Sequence, residues 1–144
     1  MLYMAFIPIV LLLTLFSVMA SAAGLPGPID ATLVRVIDGD TVEADAHVWP
    51  GHTVRVSVRL RGIDAPELRA RCAAEKAAAV QARIAVEQLL ISGRFRVRNI
   101  DGDKFFGRVV ADVETDAGEA LSDLLIGQGV VRVYDGKGRA SWCD

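Results

Sequence analysis

Two short turns of the sequence concentrate carboxylates that could hold a metal ion. The first turn carries Asp38 and Asp40 and is followed by Thr41, and the second carries Asp64 and Glu67. Two close carboxylates repel each other, so they either share a proton or hold a cation. Oxygen ligands of this kind suit a hard divalent ion such as Ca²⁺. An acidic turn taken alone is more often simply solvated, so its meaning depends on what lies near it.

Two arginines could add phosphate-binding groups to these turns. Arg59 lies on the predicted strand that ends just before Asp64, and Arg108 follows the polar loop 101–107. Arginine is the preferred bidentate ligand of phosphate. With a cation it would stabilise the charge that develops during phosphodiester cleavage, and Glu67 would position or deprotonate a water. Each arginine taken alone is more often an ordinary surface side chain.

The elements that must position these residues follow from the apolar pattern. Alternating apolar and polar residues predict five strands, over residues 32–37, 41–48, 53–63, 95–100 and 108–113. Helical spacing predicts a long helix over 72–90 and a short one over 119–126, and 130–134 is predicted to be extended. This order suits a mainly β, α+β fold: a five-stranded OB-fold barrel with one long and one short packed helix. Its meander would bring Asp40 and Asp64 to the same end of the sheet.

The N-terminal part of the chain differs in composition from the rest. Residues 1–29 contain no Lys, Arg, Asp or Glu, residues 5–18 are almost wholly apolar, and the small residues 20–24 follow. This pattern predicts a secretory signal peptide over residues 1–22. An uncleaved membrane anchor is the alternative, although the apolar run is shorter than the ~20 residues that span a bilayer. We therefore expect a secreted or periplasmic protein with no stable membrane association after cleavage.

The remaining sequence has the length and charge of a single domain. The 144 residues include 16 basic and 18 acidic ones, which excludes a polybasic arm for nucleic acid. Residues 23–30, with two Pro and two Gly, are predicted to be a linker. Residues 31–144 are then predicted to form one domain.

Two cysteines, Cys72 and Cys143, belong to the predicted mature chain. In an exported protein such a pair more often forms a disulfide than a metal site. The two cysteines and the two histidines, His47 and His52, also lack the ligand spacing of a zinc site. A bridge between Cys72 and Cys143 would tie the last residues to the start of the long helix. Two buried free thiols are the alternative.

Four segments of the sequence together resemble the staphylococcal nuclease (thermonuclease) family. Their order and spacing agree with the family over residues 31–134, and the segments are 36–42, 58–67, 103–108 and 127–129. The resemblance implies an OB barrel with helices packed on it. It also implies a reaction in which water attacks phosphorus and the 5′-oxygen leaves, so that DNA and RNA are both cut to 3′-phosphate ends.

The resemblance further implies roles for individual residues of this sequence. It makes the carboxylates of Asp40 and Asp64 and the backbone carbonyl of Ala65 the calcium ligands. Asp38 and Thr41 support these ligands from the first turn. The residues implied to act on or contact the substrate are the general base or water-orienting Glu67, the phosphate-binding Arg59 and Arg108, and Lys104, Phe106 and Tyr134.

The sequence departs from the family's pattern at several points. Ala65 stands where the family more often has Thr, a change that a carbonyl ligand tolerates. Phe105 and Phe106 precede Gly107 where the family has one Tyr, so the extra residue could move Arg108. The family's long C-terminal helix is missing, and the predicted disulfide would replace its stabilising role. The near-neutral charge predicts weaker, more salt-sensitive substrate binding.

These observations combine into the prediction of an exported, calcium-dependent, sugar-nonspecific endonuclease that acts as a monomer on DNA and RNA. One alternative is a catalytically inactive OB-fold module that binds nucleic acid or another oligomeric ligand, although such a module needs no complete set of acids and arginines. Another is a structural calcium-binding protein, which would leave Arg59 and Arg108 unexplained. Mg²⁺ or Mn²⁺ could also occupy a site of oxygen ligands.

Overall fold

The five long strands of the chain close into a barrel. The computed structural model describes residues 24–143, and its elements are β1 (Ile29–Asp38), β2 (Thr41–Trp49), β3 (His52–Leu60), β4 (Ile63–Asp64), α1 (Ala73–Leu89), β5 (Arg94–Gly102), β6 (Arg108–Thr115), α2 (Leu121–Gly127) and β7 (Arg132–Val133). The barrel order is β1-β2-β3-β6-β5, and β5 pairs back with β1. All barrel pairs are antiparallel except β3 with β6. The topology confirms the predicted OB-type barrel with one long and one short helix.

The predicted signal peptide, residues 1–22, lies outside the described residues. Within residues 24–143, neither helix is both long enough and apolar enough to cross a membrane.

The core of the barrel follows the alternation of residues along β3. Val58 and Leu60 are almost completely buried, whereas Arg59 between them keeps part of its side chain in solvent. Successive side chains of a strand point to opposite faces, so one face of β3 fills the barrel while the other carries the arginine. The helices contribute Val86 and Leu121 to the same core. The pattern that builds the core therefore also sets the direction of Arg59.

The predicted third strand, 53–63, is two strands in the structure. β3 ends at Leu60, the chain turns at Gly62 with a φ of 77°, and β4 then pairs with β7 in a separate sheet. A positive φ suits glycine because it has no Cβ. The break matters because it moves Asp64 off the barrel wall and sets it beside the C-terminal part of the chain.

The predicted linker, 23–30, overlaps the barrel. β1 begins at Ile29 rather than at residue 32, because Ile29 pairs with Val97 of β5. Before that, Leu25 forms an isolated bridge with Ile100. The pairing that closes the barrel thus extends into a segment whose Pro and Gly content suggested a linker. Residue 23 lies outside the described residues.

A disulfide joins the start of α1 to the C-terminal end of the chain. Cys72 and Cys143 are bonded, as predicted, with their Cα atoms 5.9 Å apart. Cys72 is also the N-cap of α1, since its sulfur accepts a hydrogen bond from the backbone N–H of Glu75. Residues 135–143 contain no helix. The described tail is therefore held by this bond and by its side chains.

The turn between β1 and β2 has room only for a glycine at position 39. A Cβ on Gly39 would lie 2.6 Å from the Cβ of Ala82 and 2.9 Å from that of Ala65. We expect Gly39→Ala to lower the free energy of unfolding by about 1–3 kcal/mol, the usual cost of overpacking. Urea unfolding measures this loss. Gly102→Ala is the control, because a Cβ at Gly102 would meet no atom within 4 Å. Equal stability of Gly39→Ala and wild type would contradict the expectation.

Candidate active site

The two acidic turns meet at one end of the barrel. Thr41 at the start of β2 pairs with Arg59 near the end of β3, which brings the turn before β2 to the end of β3. The backbone N–H of Ala65 then donates to Asp40 Oδ2 at 3.1 Å. The carboxylate of Asp40 therefore lies against the backbone that follows Asp64, in the arrangement expected of a meander.

Asp40 is a buried carboxylate with partners for both oxygens. Oδ2 lies 2.7 Å from Nη1 of Arg59, and Oδ1 accepts a hydrogen bond from the Thr41 hydroxyl at 2.9 Å. Burial alone would raise the pKa of Asp40, but the charge and hydrogen bond of Arg59, with the Ala65 N–H, hold that pKa below its usual value. Asp40 is therefore ionised at neutral pH and can serve as an oxygen ligand.

Asp38 supports the same turn through the backbone. Its Oδ1 accepts a hydrogen bond from the N–H of Asp40 at 3.1 Å. Burial and the neighbouring negative charge of Asp40 raise the pKa of Asp38 to about 7. Asp38 and Thr41 thus hold Asp40 by its amide and by its carboxylate, respectively.

The charge partner of Asp64 comes from the C-terminal tail. Arg139 Nε donates to Asp64 Oδ1 at 2.6 Å, Nη1 donates to Glu67 Oε1 at 2.8 Å, and Nη2 donates to the Ala65 carbonyl at 3.4 Å. Burial works to lower the pKa of Arg139, but its hydrogen bonds to the two acids hold that pKa above its usual value. One guanidinium therefore spans three of the groups predicted to act at the metal ion and the water.

Trp142 completes the surroundings of Asp64. Its indole Nε1 donates to Asp64 Oδ2 at 3.3 Å, and its ring centroid lies 3.7 Å from Cζ of Arg132. Nη1 of Arg132 in turn donates to the Ser141 carbonyl at 2.7 Å. Arg132 of β7 therefore contacts the C-terminal tail, and the tail contacts Asp64 at the end of β4.

Glu67 stands at the edge of the site, with its side chain 47% exposed. Its backbone N–H donates to Oε1 of Glu75 at 3.3 Å, and the N–H of Arg71 donates to Oε2 at 3.1 Å. The N–H groups of Arg71 and Glu67 hold the pKa of Glu75 below its usual value. Glu75, buried in the first turn of α1, therefore fixes the loop that carries Glu67.

Arg59 and Arg108 share the outer face of the barrel. In the parallel pairing of β3 with β6, Arg108 lies opposite Ser57, two residues before Arg59. Because side chains alternate along strands, the two arginines point to the same face. Nε of Arg108 donates to Asp103 Oδ2 at 2.5 Å. Each arginine is thus paired with an aspartate, Arg59 with Asp40 and Arg108 with Asp103.

The loop between β5 and β6 carries the two phenylalanines. The ring centroid of Phe105 lies 5.2 Å from Nζ of Lys104 and 4.4 Å from Cζ of Arg108. Phe106 is fully exposed. Arg108 remains the first residue of β6, so the extra residue leaves an aromatic ring in solvent and does not remove the arginine from the strand.

Tyr134 is a predicted substrate contact that lies beside the second acidic turn. Its N–H donates to the Gly62 carbonyl at 2.9 Å. With Asp64 and Arg139 it lines a cavity of about 260 Å³. The structure therefore brings Tyr134 to the acidic site, whereas Lys104 and Phe106 lie on the loop before Arg108.

The oxygens near the meeting of the turns are of the types that a hard divalent cation binds. They are the carboxylates of Asp40 and Asp64 and the carbonyl of Ala65, and Arg139 already sets a positive charge against the latter two. Anionic and carbonyl oxygens are the donors that Ca²⁺ prefers. The chemistry of the donor set is therefore that of a cation site.

A second cluster does not offer metal ligands. Among the described residues, one group of three Cys, His, Asp or Glu side chains is close enough to surround an ion: Cys72, Glu75 and Cys143. Both cysteines are bonded to each other, so neither provides the thiolate that binds metals. The acidic turns remain the candidate metal site.

Three residues of the site were not predicted from the sequence: Glu75, Arg139 and Trp142. Glu75 resembles any acidic residue in the first turn of a helix. For the other two, the available signal was Cys143, because a disulfide to Cys72 brings the residues just before it towards the second acidic turn.

Comparison with known proteins identifies one family. The sequence profile described as staphylococcal nuclease homologue matches residues 57–141, which is more than half of the chain. The matched span contains Arg59, Asp64, Glu67 and Arg139, and the turn of Asp40 precedes it. No curated protein matches the chain.

Proposed function

Because the chain belongs to the family of staphylococcal nuclease homologues, we propose that it is a calcium-dependent endonuclease that hydrolyses DNA and RNA to 3′-phosphate ends. Family membership supports a nuclease-type hydrolase with nucleic acid as its substrate. The choice of metal, the tolerance of both sugars and the position of the cut bond belong to our proposal.

One observation above all supports the proposal, namely the convergence of Arg59, Asp40 and the backbone before Glu67. Nη1 of Arg59 lies 2.7 Å from Asp40 Oδ2, and the same oxygen accepts the N–H of Ala65, two residues before Glu67. A fixed guanidinium, a buried anionic site and an exposed carboxylate are the groups that phosphodiester hydrolysis by water requires.

Asp40, Asp64 and the Ala65 carbonyl would hold the calcium ion. When bound, the ion supplies positive charge that stabilises the negative charge developing on the phosphate oxygens. Asp38 and Thr41 contribute indirectly, because Asp38 holds the backbone N–H of Asp40 and the Thr41 hydroxyl holds its carboxylate.

Arg59 and Arg108 would bind the scissile phosphate from the outer face of the barrel. A guanidinium can donate two parallel N–H bonds to phosphate oxygens. Arg108 would exchange its carboxylate partner Asp103 for the phosphate. Lys104 adds a positive charge beside it for a neighbouring phosphate, and Tyr134 would contact the nucleotide near Asp64.

Glu67 would take the proton from the attacking water or orient that water. Its exposed side chain is reached by solvent, and Glu75 fixes the backbone that carries it. A carboxylate that accepts a proton cannot stay fully paired with Arg139. The side chain of Arg139 therefore has to move away from Glu67 during the reaction.

A second candidate function is a catalytically inactive OB-fold module that binds nucleic acid. The observation that favours it is the pairing of Arg139 with both Asp64 and Glu67. The two carboxylates that a nuclease would use for the metal ion and the water are then already neutralised by an arginine. Such a module would retain DNA without metal and without cleavage.

We further propose that the protein acts outside the cytoplasm as a monomer, after removal of residues 1–22. The disulfide between Cys72 and Cys143 supports an oxidising compartment, and the protein would be secreted or periplasmic. After that removal we expect no stable membrane association.

The test is a digestion of defined single-stranded DNA and RNA oligonucleotides, with product ends identified by mass spectrometry. We expect both to be cut in Ca²⁺ to 3′-phosphate and 5′-hydroxyl ends, and neither to be cut after chelation. Metal-independent retention of intact DNA, measured by fluorescence anisotropy, would instead support the inactive module. Ends with a 5′-phosphate would contradict the proposed position of the cut bond.

Phe106 provides a prediction about substrate binding. Stacking of a base on an exposed aromatic ring contributes roughly 1–3 kcal/mol, so Phe106→Ala should weaken DNA binding about 5- to 150-fold and leave the melting temperature unchanged. Anisotropy titrations measure the affinity. Ile91→Ala is the control, because Ile91 is also an exposed apolar side chain but lies just after α1. Equal affinities of Phe106→Ala and wild type would show that no base stacks on this ring.

A further inference from the structure

The C-terminal tail places a positive charge on the predicted metal ligands. Arg139 contacts oxygens of Asp64, Ala65 and Glu67. The Asp64 side chain is only 5% exposed, and a buried carboxylate needs a cationic or hydrogen-bonding partner. Arg139 is therefore the counter-charge of Asp64 within the protein itself, as Arg59 is that of Asp40.

A divalent ion and the guanidinium of Arg139 need the same oxygens. Both are cations, so they repel each other strongly at a separation of a few ångströms. The guanidinium also occupies lone pairs of Asp64 Oδ1 and of the Ala65 carbonyl, so an ion that binds these oxygens has to bind against its charge. We propose that Arg139 competes with the metal ion, so that the C-terminal tail sets the affinity of the site for Ca²⁺. This inference rests on the proposed function for its assignment of the metal ligands.

The tail is fastened so that Arg139 stays close to its acidic partners. Cys143, a short way beyond Arg139, is bonded to Cys72, and Trp142 donates a hydrogen bond to Asp64. A tethered group acts at a high effective concentration. The competition from Arg139 is therefore much stronger than that from a free guanidinium in solution.

Arg139 differs in this respect from the other cations of the C-terminal part. The side chain of Lys137 is exposed and, among the described residues, forms no hydrogen bond or ion pair. Arg132 contacts Trp142 and the Ser141 carbonyl, neither of which is a predicted metal ligand. Removing the charge of Lys137 therefore provides a matched control for removing that of Arg139.

The test measures Ca²⁺ binding directly by titration calorimetry on oxidised wild-type protein, Arg139→Gln and Lys137→Gln. A parallel fluorescence titration uses the same proteins with Trp49→Phe, so that emission reports Trp142, the other of the two tryptophans. We expect Arg139→Gln to bind Ca²⁺ at least about tenfold more tightly than wild type, within the usual range of coupling between ligands. Lys137→Gln should bind like wild type.

Arg139→Lys keeps the test decisive if Arg139→Gln does not fold. The lysine retains a positive charge for Asp64, but its ammonium group cannot contact three separated oxygens as the guanidinium does. We expect Arg139→Lys to bind Ca²⁺ more tightly than wild type and less tightly than a folded Arg139→Gln. An affinity of Arg139→Lys equal to that of wild type, with Arg139→Gln unfolded, would overturn the proposal.

The remaining outcomes separate this proposal from the proposed function. Equal affinities of wild type and a folded Arg139→Gln would overturn the competition, as would the absence of Ca²⁺ binding to every protein tested. The same samples are assayed for DNA cleavage. Tighter binding by Arg139→Gln without cleavage would support the competition and contradict the nuclease. Cleavage with unchanged Ca²⁺ affinity would contradict the competition and support the nuclease.

Discussion

Replacing Glu67 with Gln is expected to slow the cleavage of single-stranded DNA about 10²- to 10⁴-fold, the usual contribution of a general base. Glutamine has nearly the same shape and can still accept a hydrogen bond from Nη1 of Arg139, but it cannot take a proton from water. The substitution should therefore lower the cleavage rate and leave the stability of the protein unchanged. Initial rates at saturating DNA and the melting temperature measure the two effects.

Glu87→Gln is the matched control for this substitution. Glu87 lies on the exposed side of α1, where its partner is Arg83 one turn earlier, so the same loss of charge should leave the rate unchanged. A Glu67→Gln protein that cleaves DNA as fast as wild type would show that Glu67 is not the base that takes the proton from the water.

Replacing both Cys72 and Cys143 with Ser is expected to lower the free energy of unfolding by about 4 kcal/mol. The disulfide closes a loop with a sequence separation of 71 residues, and the chain-entropy model gives about this value for a loop of that length. A chain of this size has only about 5–15 kcal/mol of stability in total. The loss should therefore be a large fraction of the whole and visible in urea unfolding.

Reduction supplies the control for the double substitution. Dithiothreitol should lower the stability of wild type towards that of the Cys→Ser protein and should leave the latter unchanged. An oxidised wild type no more stable than the Cys→Ser protein would mean that the side chains of the tail hold it without the bond between Cys72 and Cys143.

The barrel was predictable because its strands are buried on one face. The alternation of Val54, Val56, Val58 and Leu60 indicated a strand and also placed Arg59 on the other face. Proline after Asp64 marked the second turn, and the meander then implied that the two acidic turns meet. These features depend on local periodicity and on the order of elements, both of which a single sequence contains.

The environment of Asp64 was not predictable in the same way. Arg139 is distant in sequence from both its acidic partners, and no periodicity relates them. The contact depends on the break at Gly62, on the pairing of β4 with β7 and on the bond to Cys143. The sequence pattern predicted one strand through residues 53–63. The apolar Ile63 after the turn at Gly62 looks like a continuation of the strand that ends at Leu60.

The chemical roles of the site residues could not be predicted from physical pattern alone. An acidic turn holding Asp38 and Asp40 is, taken alone, more often simply solvated, and an arginine on the outer face of a strand is more often an ordinary surface residue. The structure adds that Asp40 is buried and paired with Arg59, which holds the pKa of Asp40 below its usual value despite the burial. Its position beside Ala65 makes the turn a candidate site rather than a surface feature.

The initial rate of single-stranded DNA cleavage by the oxidised protein, in Ca²⁺ and again after addition of a chelator, tests the central claim most directly. We predict prompt cleavage in Ca²⁺ that stops when the ion is removed and resumes when it is restored. A folded protein that leaves the DNA intact in Ca²⁺, Mg²⁺ and Mn²⁺ alike would contradict the claim that these acidic turns form a nuclease site.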